Sequence, residues 1–307
     1  MFAFATPAAF ARTPSLSETK VVIDKPPVEF STGLELSTAE AKGFLLIEDY
    51  PGFWLGVASN LGISDLSASL QAAGISFHVS PEFDRLFLAG AAFDVRTGLP
   101  SNLPSNLLFG SNVPPLGVVQ PNVWVAQFVG PAKPEWLANL ASAGLTVRQS
   151  ADSNAVVITG TSQAVSALQS QISSSSSPIQ AVFPYHPALR ASPALLDRIN
   201  SGEPARVLFN SSMDASNFAS TLAAYGLSES VAAYPISAIS VIGCRGTFSA
   251  FRIALFLPDV FRLEPMSNFQ NSDEKSAMVV AGKITSPLTP SPSSYRSFLT
   301  SKCGNCL

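Results

Sequence analysis

Three times along a chain of 307 residues, a helix-like run closes on one signature: leucine, three residues, glycine, then leucine or isoleucine. The copies are "LQAAGI" (Leu70 to Ile75), "LASAGL" (Leu140 to Leu145) and "LAAYGL" (Leu222 to Leu227). The leucine packs on a sheet, the glycine takes the left-handed conformation that ends a helix, and the next apolar residue starts a strand. Recurrence of such a unit points to repeated modules.

The middle copy sets the pattern. "VWVAQF" (Val123 to Phe128) reads as a strand, Pro131 and Pro134 mark the turn, and Pro134 suits a first helical position. Trp136, Leu137 and Leu140 form an apolar stripe at helical spacing. "LTVRQSA" and "AVVITG" make a strand pair turning at Asp152, Ser153 and Asn154, a second helix runs from 162 to 172, and "IQAVFPY" closes the unit. The order is βαββαβ over 121–190, predicting an α+β fold of ferredoxin-like modules, each an antiparallel sheet with both helices on one face.

Residues 204–266 repeat that order, from "ARVLFN" (Ala205 to Asn210) through the helix of Phe218, Leu222 and Tyr225 to "VFRLEP" (Val260 to Pro265). Residues 43–98 read as an incomplete module lacking its second helix, followed by a proline-rich linker over 99–120. Residues 1–40 read as an apolar, disordered segment in which Ala9-Phe10-Ala11 has a small-x-small form, resembling a signal peptide that has lost its start. Residues 267–307 read as an extended tail with one short strand at Met278 to Ala281.

Composition narrows the function. The 47% hydrophobic content supports real cores, while 13% charged residues and a net charge of -3 provide no basic field for nucleic acid or an anionic membrane. Low charge with abundant Ser, Ala, Thr and Pro is typical of exported proteins. Cys244, Cys303 and Cys306 are too few and odd in number for a disulfide framework, and the CxxC of "KCGNCL" lacks the second ligand pair a zinc site needs. No metal or cofactor is expected.

Four stretches together resemble the N-terminal prosegment of large secreted bacterial-type subtilisin-like serine proteases: "FDVRTGLPSNLP" (Phe93 to Pro104), "VAQFVGPAKPEWLANLASAGLTV", "VVITG" and "VFPYHPALR" (Val182 to Arg190). The resemblance covers about residues 43 to 280 and is most specific over Gln127 to Trp136 and Pro184 to Pro187. It stops short of the catalytic domain. The Asp, His and Ser settings of a subtilisin-like triad do not occur, so no catalytic residue is expected.

The remaining reactive side chains read as structural. His78 alternates with apolar neighbours on a strand, and His186 resembles the family's surface segment after the closing strand. Ser173 to Ser177 read as a flexible loop, and Glu48-Asp49 and Asp273-Glu274 as solvated surface pairs.

The resemblance implies a folding chaperone and inhibitor. A prosegment module lays the helix-free face of its sheet on helices of the protease, and the chain leaving it fills the active-site cleft as an added strand. The partner would be a subtilisin-like catalytic domain, carried on the same chain in relatives and met in trans here. The chain is then either a remnant of a full protease or a stand-alone inhibitor. Docking would fall to the third module through Val207, Phe209, Phe261 and Leu263, and cleft binding to Glu264, Pro265, Met266, Ser267 and Asn268.

A rival is a secreted binding module of the same fold unrelated to proteolysis, holding a small ligand or a protein partner. Small-ligand sites at such strand-helix turns need exposed backbone N–H groups, which the prolines of "VGPAKP" remove. RNA binding would need exposed aromatics among basic residues on the central strands, and "VVITG" and "AISVIG" have neither.

Overall fold

The computed structural model describes residues 15–26, 34–109, 123–152, 154–172, 177–210, 212–236 and 239–266. The chain divides into two units, covering 15–81 and 82–266 among these residues. Each is of the α+β class with antiparallel sheets.

The first unit starts with β1 (Glu18–Asp24), α1 (Leu34–Glu40), β2 (Leu45–Asp49) and β3 (Phe53–Ser59), and ends with α2 (Ile63–Ala72) and β4 (Phe77–Val79). Its sheet order is β2-β3-β1-β4. This corrects two expectations. Part of the 1–40 segment expected to be disordered is structured, because the "VVI" of β1 is a central strand with Val21, Val22 and Ile23 fully buried. The module is also complete rather than missing a helix, running from 18 to 79 instead of 43 to 98.

The correction also shifts the repeat. In the first module "LQAAGI" ends the second helix, whereas "LASAGL" and "LAAYGL" end first helices. The true counterpart is "AEAKGF", where Phe44 N–H donates to Ala39 C=O just as Leu145 donates to Leu140 and Leu227 to Leu222. Gly43, Gly74, Gly144 and Gly226 all have positive φ, so the motif is helix-stop chemistry rather than a register mark.

The second unit opens with a hairpin, β5 (Arg85–Leu88) and β6 (Ala91–Asp94). Next come β7 (Val123–Phe128), α3 (Pro134–Ser142), β8 (Thr146–Asp152), β9 (Ala155–Thr159), α4 (Ser162–Gln171) and β10 (Ile179–Pro184), in sheet order β10-β7-β9-β8. A connecting helix α5 (Pro193–Asn200) leads to β11 (Ala205–Asn210), α6 (Ala215–Ala224), β12 (Ser228–Ile236), β13 (Ile239–Arg245), α7 (Phe248–Phe256) and β14 (Val260–Pro265). The last sheet has the order β12-β13-β11-β14, so all three βαββαβ units share one topology.

The elements of the second unit follow from local chemistry. Thr161, Ser192, Asp214 and Thr247 each accept a backbone N–H as N-caps of α4, α5, α6 and α7, and Pro134 and Pro193 open their helices. Phe128 and Phe209 point to the helix side of their sheets and stack on Trp136 and Phe218, at ring centroid distances of 5.4 and 4.1 Å.

The opposite face of the β7–β10 sheet is also covered. Val123, Val125, Ala155 and Val157 join one apolar core with Leu86 and Phe93 of the hairpin, and with Leu103 and Leu107 beyond it. The first half of the expected 99–120 linker is therefore core-forming, while 110–120 lies outside the described residues. The expected tail over 267–307, its strand at Met278 to Ala281 and Asp273-Glu274 also lie outside them.

Candidate functional site

The register of the last sheet sorts the expected docking residues. Val207 lies opposite Ile242 and Leu263, and Phe209 opposite Val260 across a bulge. Val207, Phe209 and Leu263 all belong to the core that includes Phe218 of α6 and Phe251 of α7. They face the module's own helices and cannot dock a partner. Phe261, at the bulge, is likewise buried. The alternate residues form the helix-free face: Arg206, Leu208 and Asn210 on β11, Val241 and Gly243 on β13, and Val231 and Tyr234 on β12. Of these Leu208 and Val241 are buried and Val231 is exposed.

Among the expected tail residues, Glu264 and Pro265 complete β14, and Arg262 pairs with Glu264 at 2.5 Å. Met266 follows the strand, half-buried, with its sulfur close to Gly243. Ser267 and Asn268 lie outside the described residues.

The residues that carry the family resemblance are internal fastenings. Arg190 is fully buried: its Nε and Nη2 donate to Tyr185 C=O at 3.0 and 2.8 Å, and its Nη1 donates to Leu255, Leu257 and Val260 C=O at 3.0, 3.0 and 2.8 Å. It thus ties the closing strand of one module to the end of α7 and the start of β14 in the next, where the helix C-terminus favours a cation. Burial pushes its pKa down to about 10, against the pull of Tyr185.

His186 is buried rather than on the surface. Its Nδ1 accepts the Phe109 N–H at 3.0 Å, and its ring lies 5.4 Å from that of Phe109, which meets Phe256 edge-on. Burial first, and the Arg190 charge second, lower its pKa to about 4, so the ring is neutral at pH 7. His78 sits on β4 opposite Val22. Neither ring bonds a serine or an aspartate among the described residues.

Gln127, Asn154 and Gln180 converge on one carbonyl. Their amide nitrogens donate to Phe83 C=O at 3.3, 2.8 and 2.8 Å, from β7, from the β8–β9 turn and from a bulge in β10. All three are buried, so the knot fixes the start of the segment that covers the sheet. In "FDVRTG", Asp94 accepts from the Arg96 backbone N–H at 2.9 Å and from its side chain, which also reaches buried Asp84 at 3.3 Å. The hydrogen bond that Arg96 donates to Asp94 is the main cause raising the Arg96 pKa.

The other reactive groups are similarly placed. Ser177 is buried, its Oγ accepting from Ile179 N–H at 3.2 Å, while 173–176 are outside the described residues. Asp49 pairs with Lys25, which lies 5.2 Å over the Trp54 ring. Burial pushes the Cys244 thiol up to about 12, with Glu229 adding to the shift. Cys303 and Cys306 are outside the described residues. Among the described residues no cluster of three His, Cys, Asp or Glu could hold a metal ion, and no helix is long and apolar enough to cross a membrane.

Compared with known proteins, the chain matches no family model, no curated protein and no solved structure. The class that the fold defines is α+β, a chain of antiparallel sheets flanked by helices.

Proposed function

We propose that this chain acts as a prosegment-type folding chaperone and inhibitor of a secreted subtilisin-like serine protease rather than as a catalyst. The observation that carries the reading is the tandem topology. Three βαββαβ units share one strand order, which supports reading each as a ferredoxin-like module, and the last ends in β14 at Pro265. That is the layout a docking module with a cleft-binding tail requires.

The docking surface then moves from the core-facing residues to the β12 side of the helix-free face, where Val231 is exposed beside Tyr234 and Arg206. The protease would be met in trans. Docking assists folding because a preformed sheet supplies contacts that the catalytic domain would otherwise order alone, and it inhibits for as long as the tail occupies the cleft. The low charge fits an exported chain.

The test is inhibition of a panel of secreted subtilisin-like proteases by the full chain and by a chain ending at Met266, each shown to be folded by circular dichroism. Saturable inhibition that weakens on removal of 267–307 supports the reading. Folded protein that inhibits none of the panel overturns it in favour of a binding module unrelated to proteolysis.

A further inference from the structure

The second unit contains a groove of about 390 Å³ whose lining includes Phe87, Leu88 and Ala92 from the hairpin and Ser192, Leu263 and Pro265 from the other wall. Both walls are strand edges, since β14 ends its sheet and β5–β6 is a two-stranded ribbon. At one end the chain itself bridges them: Gly90 N–H, at the hairpin tip, donates to Leu189 C=O at 3.1 Å, and Leu263 N–H donates to Arg190 C=O at 2.8 Å. Two successive residues thus bond one wall each, so the gap there is one peptide chain wide. Ser192 lines the groove as that segment enters α5.

Past that bridge the edge groups are unpaired. Phe87 N–H donates away from the ribbon, to Asp152 Oδ2 at 2.8 Å, so Phe87 and its partner Ala92 form a non-hydrogen-bonded pair. That pairing directs the Ala92 N–H and C=O to the outer edge of β6. Leu263 N–H points away from β11, so the pair it forms with Val207 is of the same kind, and Leu263 C=O points off the edge of β14. Pro265, opposite Ala205, follows the same alternation. Among the described residues these edge groups meet no hydrogen-bond partner, so the groove offers a donor and an acceptor on one wall and two acceptors on the other.

The side chains suit an uncharged occupant. Arg262 and Glu264 neutralise each other at 2.5 Å, and Phe87, 54% exposed with the Arg85 guanidinium 5.5 Å from its ring centre, gives an aromatic platform. An exposed phenyl beside open strand edges is a surface that natural folds cover or pair.

We propose that the groove binds an extended peptide segment of a partner protein as an added strand, uncharged over the residues it places there. Leu189 and Arg190 show the arrangement at one end, where a single chain bonds both walls, and the peptide continues it along the unpaired edges. Its N–H groups donate to Leu263 and Pro265 C=O on one side, and it exchanges a donor and an acceptor with Ala92 on the other. Main-chain bonds of this kind supply affinity, and an apolar side chain laid on Phe87 supplies selectivity. Backbone groups on both walls favour a peptide over a compact small molecule. The site is separate from the β12 face and stands independently of any protease.

Panning a phage-displayed library of random heptapeptides on the full chain, followed by binding measurements with the enriched peptides made synthetically, tests it. Those peptides should carry an uncharged core, bind saturably and slow hydrogen exchange at the Ala92 amide. Their affinity should fall at least tenfold in Ala92→Pro, which removes the edge donor without touching a ladder bond, and in Phe87→Ser, with circular dichroism confirming the fold of both variants. N-methylation of alternate peptide nitrogens should cost as much. Failure to enrich any peptide overturns the proposal, as does binding that survives either substitution or the N-methylation. Binding that appears only after residues 267–307 are removed assigns the groove to the protein's own chain, and self-association lost in Ala92→Pro assigns it to a second copy; either result overturns it too.

Discussion

Replacing Arg190 with methionine should uncouple the last two modules. The substitution keeps much of the aliphatic volume and removes the guanidinium donors to Tyr185, Leu255, Leu257 and Val260 C=O, of which Leu257 keeps the Val260 N–H at 3.3 Å. Leaving a buried carbonyl unpaired costs ~1–3 kcal/mol, so the low end over the other three carbonyls gives about 3 kcal/mol. Relief of the penalty for holding a cation without a carboxylate partner offsets part of this, leaving about 1–3 kcal/mol. For a unit of this size that lowers the melting temperature by roughly 3–9 °C. Urea titration followed by circular dichroism measures the change, with Arg190→Lys as a second variant whose three donors cannot span the same carbonyls. A loss below ~1 kcal/mol in Arg190→Met would refute the argument that this side chain fastens the modules.

Other outcomes follow from particular contacts. His186 titrates near 4 when folded against 6.5 when exposed, so its contribution is fully present above pH 6.5 and is lost as pH falls from there through 4; urea midpoints across that range should fall less steeply in His186→Phe. Gly90→Ala places a methyl 1.9 Å from Ala188 C=O and should cost more than ~3 kcal/mol in urea titrations. Gly144→Ala meets open space at φ 77° and should cost only ~1 kcal/mol in the same assay. In a chain with Cys303→Ser and Cys306→Ser, Cys244 should react with a thiol reagent at pH 8 only after unfolding, as the time course of labelling with and without urea would show.

The modules containing "VWVAQF" and "ARVLFN" were legible because each signal was local and strong: alternating apolar strands, capped helices and a glycine stop at Gly144 and Gly226. The first module was misread because its helix α1 is only seven residues long and the same glycine chemistry also ends α2. A stop signal records the end of a helix and carries no record of which helix it is. The connecting helix α5 was missed although Ser192 as N-cap and Pro193 at the first turn announce it.

The candidate site was less legible than the fold. Alternation along β11 fixed that Val207 and Phe209 share one face, but both faces of that strand carry apolar residues, so only the packing of α6 and α7 decided which face was core. In the same way sequence placed Gln127, His186 and Arg190 in memorable stretches without saying what they do. Each is a polar group whose partners lie far along the chain: Phe83 for Gln127, Phe109 for His186, and Leu255, Leu257 and Val260 for Arg190. The α+β class, the order of elements in two modules and the helix stops can be read from the residues in order, since these depend on neighbours within a few residues. The tertiary structure alone decided that the first module is complete, which sheet faces are covered and which conspicuous residues are fastenings, since burial and hydrogen bonding between distant segments exist only once the chain is folded.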